Sequence, residues 1–472
     1  MRTRLCYLAL LLVPLCAYWT VFTHEFGAPE DFLRLNAPDV IAADGAQKGI
    51  LHGALQDVAF HSIDSVPALA LLRLLSFVLV VLCGVAIWQV SERGGWSEID
   101  ATALALGVML LPAAQLCVAW AAAWPAVLAA LLSLAAFAAT ESELEVGGTR
   151  RFIGLLGGVL LYFGAAMCYF PNATMGLVPL AALTLARPLR FSHDLKKWFA
   201  THVGVMAVGL IASGLLERVL MEGAGVVDRT QIVGRLETLF AFALPAGWAT
   251  FIVGEHGPTR VLAAAIGAIV IGGLVVIARR DVRAEPRAAA SWWLALGATM
   301  ALFSAVAVFA PNWQGGYRSL WPLGGIVIAG LISAVRGVGE QPTKKSAWHF
   351  AALSGLVAVG VLAAGTQVFS LLVSPLEREW RELDGAVRRA RIEGSVTAEL
   401  RLPAGTAPMT GIPEARFDAR VAQSPAAAVQ MFNAALDARF LAGLPKGTKV
   451  RVEVRAEEPV ATGGLVFELR KF

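Results

Sequence analysis

Residues 4–22 read RLCYLALLLVPLCAYWTVF and run directly into THEFGAPEDFLR at 23–34. Arg4 is the sole charge of the first stretch, and a lipid-spanning helix needs about 20 consecutive apolar residues. A membrane span followed at once by a carboxylate pair, Glu30 and Asp31, is therefore the first element of the chain. Arg2 and Arg4 ahead of the apolar run imitate a secretory signal. No small-x-small cleavage site follows, and Leu15 stands before Cys16 where a lipoprotein signal would want a small residue. The reading is an uncleaved first helix.

The rest of the chain has the same character. Of its 472 residues 57% are hydrophobic and 16% charged, against about 45–50% and about 25% in soluble chains. Further apolar stretches lie at 66–90, 101–120, 124–140, 152–170, 173–187, 199–219, 259–278, 290–310, 317–335 and 348–373. That predicts an all-α polytopic membrane protein with about eleven transmembrane helices. Basic residues test the orientation. Arg93, Arg150 with Arg151, the segment Arg187 to Lys197, Arg279 to Arg287 and Arg336 to Lys345 share a side with Arg2 and Arg4. By the positive-inside tendency that side is cytoplasmic. The N-terminus is then expected in the cytoplasm and the C-terminus outside it. The net charge of +4 reports this orientation and not nucleic-acid binding. All five cysteines fall in apolar spans, so no disulfide framework or metal–thiolate site is implied.

Two segments depart from simple crossing. Residues 236–253 are apolar but interrupted by Pro245 and Gly247, and counting them as a span would put Arg279, Arg280 and Arg283 outside. An interfacial or re-entrant hairpin on the outer side is the preferred reading; a twelfth helix is the alternative. The first 374 residues thus form a membrane domain, and 375–472 change composition. Residues 375–393 suit an amphipathic helix. Period-two runs at 395–402, 449–456 and 465–471 suit strands, with helical spacing at 424–441. A small extracytoplasmic α/β domain is expected there.

The long first outer loop, 23–66, holds Glu30, Asp31, Arg34, Asp39, Asp44, Lys48, His52, Asp57, His61 and Asp64. Part of it has the pattern of a membrane-surface helix, through Ile50, Leu51, Leu55 and Val58. Arg73 lies just inside the second span, where an ionisable group is costly and usually paired or functional. Arg318 opens a late span after Tyr317, and Arg229, Arg235 and Arg260 flank the 236–253 hairpin. Guanidinium groups near one interface can fork onto a phosphate or snorkel to lipid head groups. The turn Tyr169 to Thr174 adds aromatic and amide groups at the same side.

These parts suit transfer of a sugar carried on a lipid phosphate. A carboxylate takes the proton of an acceptor hydroxyl, and the departing phosphate needs positive charge from arginine or a divalent metal. A short tether from the first helix fixes the carboxylate at the bilayer edge. Capping is the competing role for Glu30 and Asp31, because acidic residues favour the first turn of a helix.

The stretch Gly27-Ala-Pro-Glu30-Asp31-Phe-Leu33, the segment Gly45 to Leu55 and the Arg73-bearing second span resemble the GT-C superfamily of polyprenyl-phosphate-sugar glycosyltransferases. Tyr317-Arg318 and the segment Met431 to Val454 are similar to its bacterial branch that glucosylates O-antigens. The resemblance covers the layout of most of the chain but only about 40 residues in motif. Many members carry two adjacent aspartates where this chain has Glu30-Asp31. The resemblance implies Asp31 first and Glu30 second as catalytic residues, either or both also holding a divalent cation (Mg or Mn). Arg73 and Arg318 become phosphate contacts, with Tyr317, Arg34 and His52 as further substrate contacts. It also implies the bacterial cytoplasmic membrane, a periplasmic C-terminal domain, a lipid-linked sugar donor and a glycan or protein acceptor. The competing readings are a transporter or flippase of lipid-linked sugars, which would want repeats and midplane charges, and an O-antigen polymerase or ligase, which would want a large late outer loop rich in arginine.

Overall fold

The computed structural model describes residues 2–36, 49–63, 65–144, 149–186, 195–220, 229–253, 257–282, 286–310, 316–339, 347–392, 399–401, 450–455 and 466–471. Among them, nine helices are long and apolar enough to cross a membrane. The chain is an all-α polytopic membrane protein. Nine of the eleven expected spans coincide with these helices: α1 (Arg2–Thr23), α4 (Leu69–Arg93), α7 (Trp124–Leu144), α8 (Thr149–Tyr169), α10 (Leu195–Leu220), α13 (Gly257–Val282), α14 (Pro286–Phe309), α15 (Trp321–Gly339) and α16 (Ala347–Gln367). Between α1 and α4 lie two short helices, α2 (Pro29–Asn36) and α3 (Ile50–His61).

The other two expected spans differ. Residues 101–120 form a broken pair, α5 (Glu98–Met109) and α6 (Pro112–Ala119), bent by 56°. Pro112 has no N–H to continue the α5 ladder. The carbonyl of Leu110, which the break would orphan, accepts from the Gln115 side chain at 2.9 Å. Residues 173–187 yield only the ten-residue α9 (Leu177–Ala186), about 15 Å long and half a bilayer core. It is buried almost throughout.

The bundle is built around α15, whose apolar window is 83% buried against 28% for α1. Glycines let its neighbours come close. A Cβ on Gly107 of α5 would lie 2.8 Å from Ile328, and one on Gly325 would lie 2.6 Å from Val178 of α9. The segment 236–253 is not among the nine apolar helices. It is the end of α11 (Arg229–Thr238), a π-helical turn over Leu239–Ala243, and α12 (Leu244–Trp248). Pro245 removes the N–H that would close the preceding α turn, and Thr250, at φ 54°, ends the run.

After α16 a second π turn, Val368–Val373, leads into α17 (Ser374–Ile392). α17 packs back over α2 through Trp380, which stacks on Phe32 at 5.9 Å. Beyond it, β1 (Glu399–Arg401), β2 (Val450–Arg455) and β3 (Val466–Lys471) pair antiparallel in the order β1–β3–β2. The helix expected at 424–441 lies outside the described residues.

Candidate functional site

The face at which α1 ends carries the cluster. Past Thr23 the chain turns inward, burying Phe26 and Ala28. Gly27 is required there, since a Cβ would lie 2.7 Å from the Phe32 ring. Pro29 then starts α2 at the position where its missing N–H does no harm. Asp31 reaches back to the backbone N–H of Ala28 at 2.9 Å, the reciprocal half of a capping box.

Asp31 does more than cap. Its two oxygens also accept the N–H groups of Ala121 at 3.3 Å and Ala122 at 2.8 Å. These belong to the 3-10 turn Ala121–Ala123 at the start of α7, a helix end whose N–H groups otherwise lack partners. Asp31 is wholly buried. Burial pushes its carboxyl above the usual carboxylate range, while Arg73, the Ala28 and Ala122 N–H groups and Arg34 pull it down. Arg73 is fully buried too. It donates to the carbonyl of Phe26 and lies over that ring, 3.7 Å from the centroid. The resemblance implies a phosphate contact for Arg73; its side chain is turned into the loop that carries the acidic pair.

Glu30 faces the other way. Its side chain is 26% exposed and sits between two guanidinium groups. Arg318 forks onto it, with Nη2 donating to Oε1 at 3.0 Å and Nη1 to Oε2 at 3.3 Å. Arg34 lies 3.5 Å from Oε2 and donates to the Glu30 carbonyl at 3.1 Å. Burial lowers the Arg34 value, with Glu30 and Asp31 acting to raise it. Arg318 also lies over Trp120, 4.6 Å from the ring centroid.

The remaining expected residues lie apart from the Glu30–Arg318 fork. Tyr317 is buried edge-on against Phe242 at 5.4 Å. His52 is buried and its Nδ1 donates to the Cys168 carbonyl at 2.9 Å. Asp57 and His61 pair with each other at 3.7 Å in the open. Asp39, Asp44, Lys48 and Asp64 lie outside the described residues. Sequence reasoning missed Trp120, the turn 121–123 and Gln56, which donates to the Ala122 carbonyl and braces that turn from α3. The available signal was Trp120-Ala-Ala-Ala-Trp124, small residues between two aromatics at the edge of a span.

The cluster thus joins three guanidinium groups to two carboxylates. One of these two carboxylates, Glu30, is part-exposed. As a metal site the pair fits poorly. The Asp31 oxygens hold backbone donors, and a cation at Glu30 would stand beside Arg318 and Arg34. Among the described residues no group of three or more His, Cys, Asp or Glu could hold a metal ion. Comparison with protein-family models, with curated proteins and with solved structures gives no match.

Proposed function

We propose that the chain is a membrane glycosyltransferase of GT-C type, working at the outer face of the bacterial cytoplasmic membrane. It moves one sugar from a polyprenyl-phosphate donor to a hydroxyl on a glycan, lipid-linked glycan or protein. The observation that carries this reading is the Glu30 carboxylate, part-exposed and forked by Arg318, on a helix pinned by a buried Asp31. Residues 375–472 are proposed to include a small periplasmic α/β domain.

In the proposed step the donor phosphate competes with Glu30 for Arg318 and Arg34. Glu30, released from the fork, accepts the proton of the acceptor hydroxyl. The acceptor oxygen bonds to the anomeric carbon as the bond from that carbon to the phosphate oxygen breaks with inversion. The polyprenyl phosphate departs with the electron pair, and the guanidinium groups balance its charge. The resemblance carries the base role to Asp31 first. Burial and three backbone donors favour Asp31 as the residue that positions α2, and Glu30 as the base. No step here uses a metal.

The test is mass spectrometry of surface glycans with and without the gene. Deletion should lower the mass of one glycan class by a single sugar residue, restored by the wild-type chain and not by Glu30→Gln. Unchanged glycans, with labelled lipid-linked sugar crossing vesicles at a rate set by this chain, would instead favour a flippase.

A further inference from the structure

A second candidate site lies between α10 and α14, apart from the Glu30 cluster. An apolar groove of about 500 Å³ runs between them, lined by Met206, Leu210, Gly214, Leu302 and Val306. From Met206 it rises roughly 16 Å to Glu217 at 1.5 Å per residue, the depth of one bilayer leaflet. Such a slot suits a lipid chain. Its upper end is unusual. Glu217 lines it with a side chain that leaves the residue 6% exposed, and its Oε1 has no hydrogen-bond partner among the described residues. A buried carboxylate without a partner is costly in an apolar setting. The atom lies 3.4 Å from where a Cβ on Gly49 would stand, so it sits against the start of α3. Arg218, the next residue and exposed, lines the same end. Both belong to the last turn of α10, level with Phe309 and Ala310 at the end of α14.

We infer that this groove is a binding site for a bilayer phospholipid whose head group carries a primary ammonium, of the phosphatidylethanolamine type. One acyl chain fills the groove, the ammonium donates to Glu217, and the phosphate meets Arg218. Charge complementarity decides against other occupants. A polyprenyl phosphate offers Arg218 a partner but presses its anion against Glu217 and donates nothing to it. A phosphatidylglycerol repeats that conflict with a net negative head. A phosphatidylcholine matches the charges, but its quaternary ammonium has no N–H to give to the Glu217 carboxylate that lines the groove. The site does not require the chain to be a glycosyltransferase.

Native mass spectrometry of the full chain tests this, after incubation in detergent with phosphatidylethanolamine, phosphatidylcholine, phosphatidylglycerol and polyprenyl phosphate in equal amounts. The wild-type chain should retain phosphatidylethanolamine about tenfold over phosphatidylcholine, and Glu217→Gln should erase that preference. Gly214→Phe supplies a second variant, because a Cβ at Gly214 meets nothing within 4 Å and a ring there would fill the slot. It should lower retention of phosphatidylethanolamine in a chain that still folds. Equal retention of all four lipids, preference for polyprenyl phosphate, or a Glu217→Gln chain that keeps the wild-type preference would each overturn the assignment.

Discussion

The two ends of the helical bundle handle buried charge differently. At the end where α1 begins, Asp100 accepts from Ser97 at 2.7 Å and pairs with His349 at 2.7 Å. Glu141 there accepts from Trp198 at 2.7 Å and meets His202 at 2.8 Å. Each carboxylate ties neighbouring helices together through a histidine. At the end where α1 stops, Glu30 and Asp31 face Arg34, Arg73 and Arg318, all permanently charged. The first end is an arrangement of ties between helices. The second sets a part-exposed carboxylate between two guanidinium groups, which is what the proposed site for an anionic lipid-linked substrate needs. The difference teaches that acidic residues at both ends of spans look alike in sequence, and that their partners separate fastening from chemistry.

Removing the pin should have the largest effect. Asp31→Ala leaves Arg73 without its buried counter-charge and three N–H groups without an acceptor. We expect a loss of about 3–5 kcal/mol, read as a drop in the thermal midpoint of the detergent-solubilised chain. A variant as stable as wild type would show that the buried network fastens nothing. Arg318→Lys comes next. It keeps the charge but loses the fork and the stacking on Trp120, so we expect sugar transfer to fall about 10- to 100-fold with stability close to wild type. Full activity in that variant would remove Arg318 from the phosphate. At the opposite end, Asp100→Asn should cost about 1–2 kcal/mol by weakening two hydrogen bonds to a charged acceptor while transfer is unchanged. Lost activity there would erase the contrast between the two ends.

The smallest expected effect is a pH dependence. Burial raises the Asp31 carboxyl above its unfolded value, so the folded chain binds that proton more tightly than the unfolded one. Its contribution to stability is complete below the ordinary carboxylate value, about pH 4, and declines as pH rises through the raised one. The thermal midpoint of wild type measured upward from pH 4 should show this slope, and Asp31→Asn should flatten it.

Much of the bundle was legible in the sequence because a bilayer sets the length of an apolar run. Nine spans follow from that rule alone. The two that did not were decided by local backbone chemistry. Pro112 breaks one, with Gln115 repairing the gap, and the other is described as a ten-residue helix, α9, packed inside the protein. The acidic pair was legible as a pair, since carboxylates beside a span are expensive. Its division of labour was not. Whether Glu30 or Asp31 turns inward depends on Pro29 fixing the first turn of α2, on Gly27 admitting Phe32, and on N–H groups 90 residues away in the turn after Trp120. Arg318, 288 residues from Glu30, closes the site from a late helix, and no local pattern announces a contact of that separation.

In the proposed reaction Glu30 carries the proton and Asp31 carries the structure. The direct measurement compares Glu30→Gln with Asp31→Asn for sugar transfer in vesicles, at a temperature where both variants remain folded. Glu30→Gln should lower transfer by about 10²- to 10⁴-fold, and Asp31→Asn should retain the larger share of activity with a lower thermal midpoint. Wild-type transfer by Glu30→Gln, with activity lost only in a stably folded Asp31→Asn chain, would contradict it.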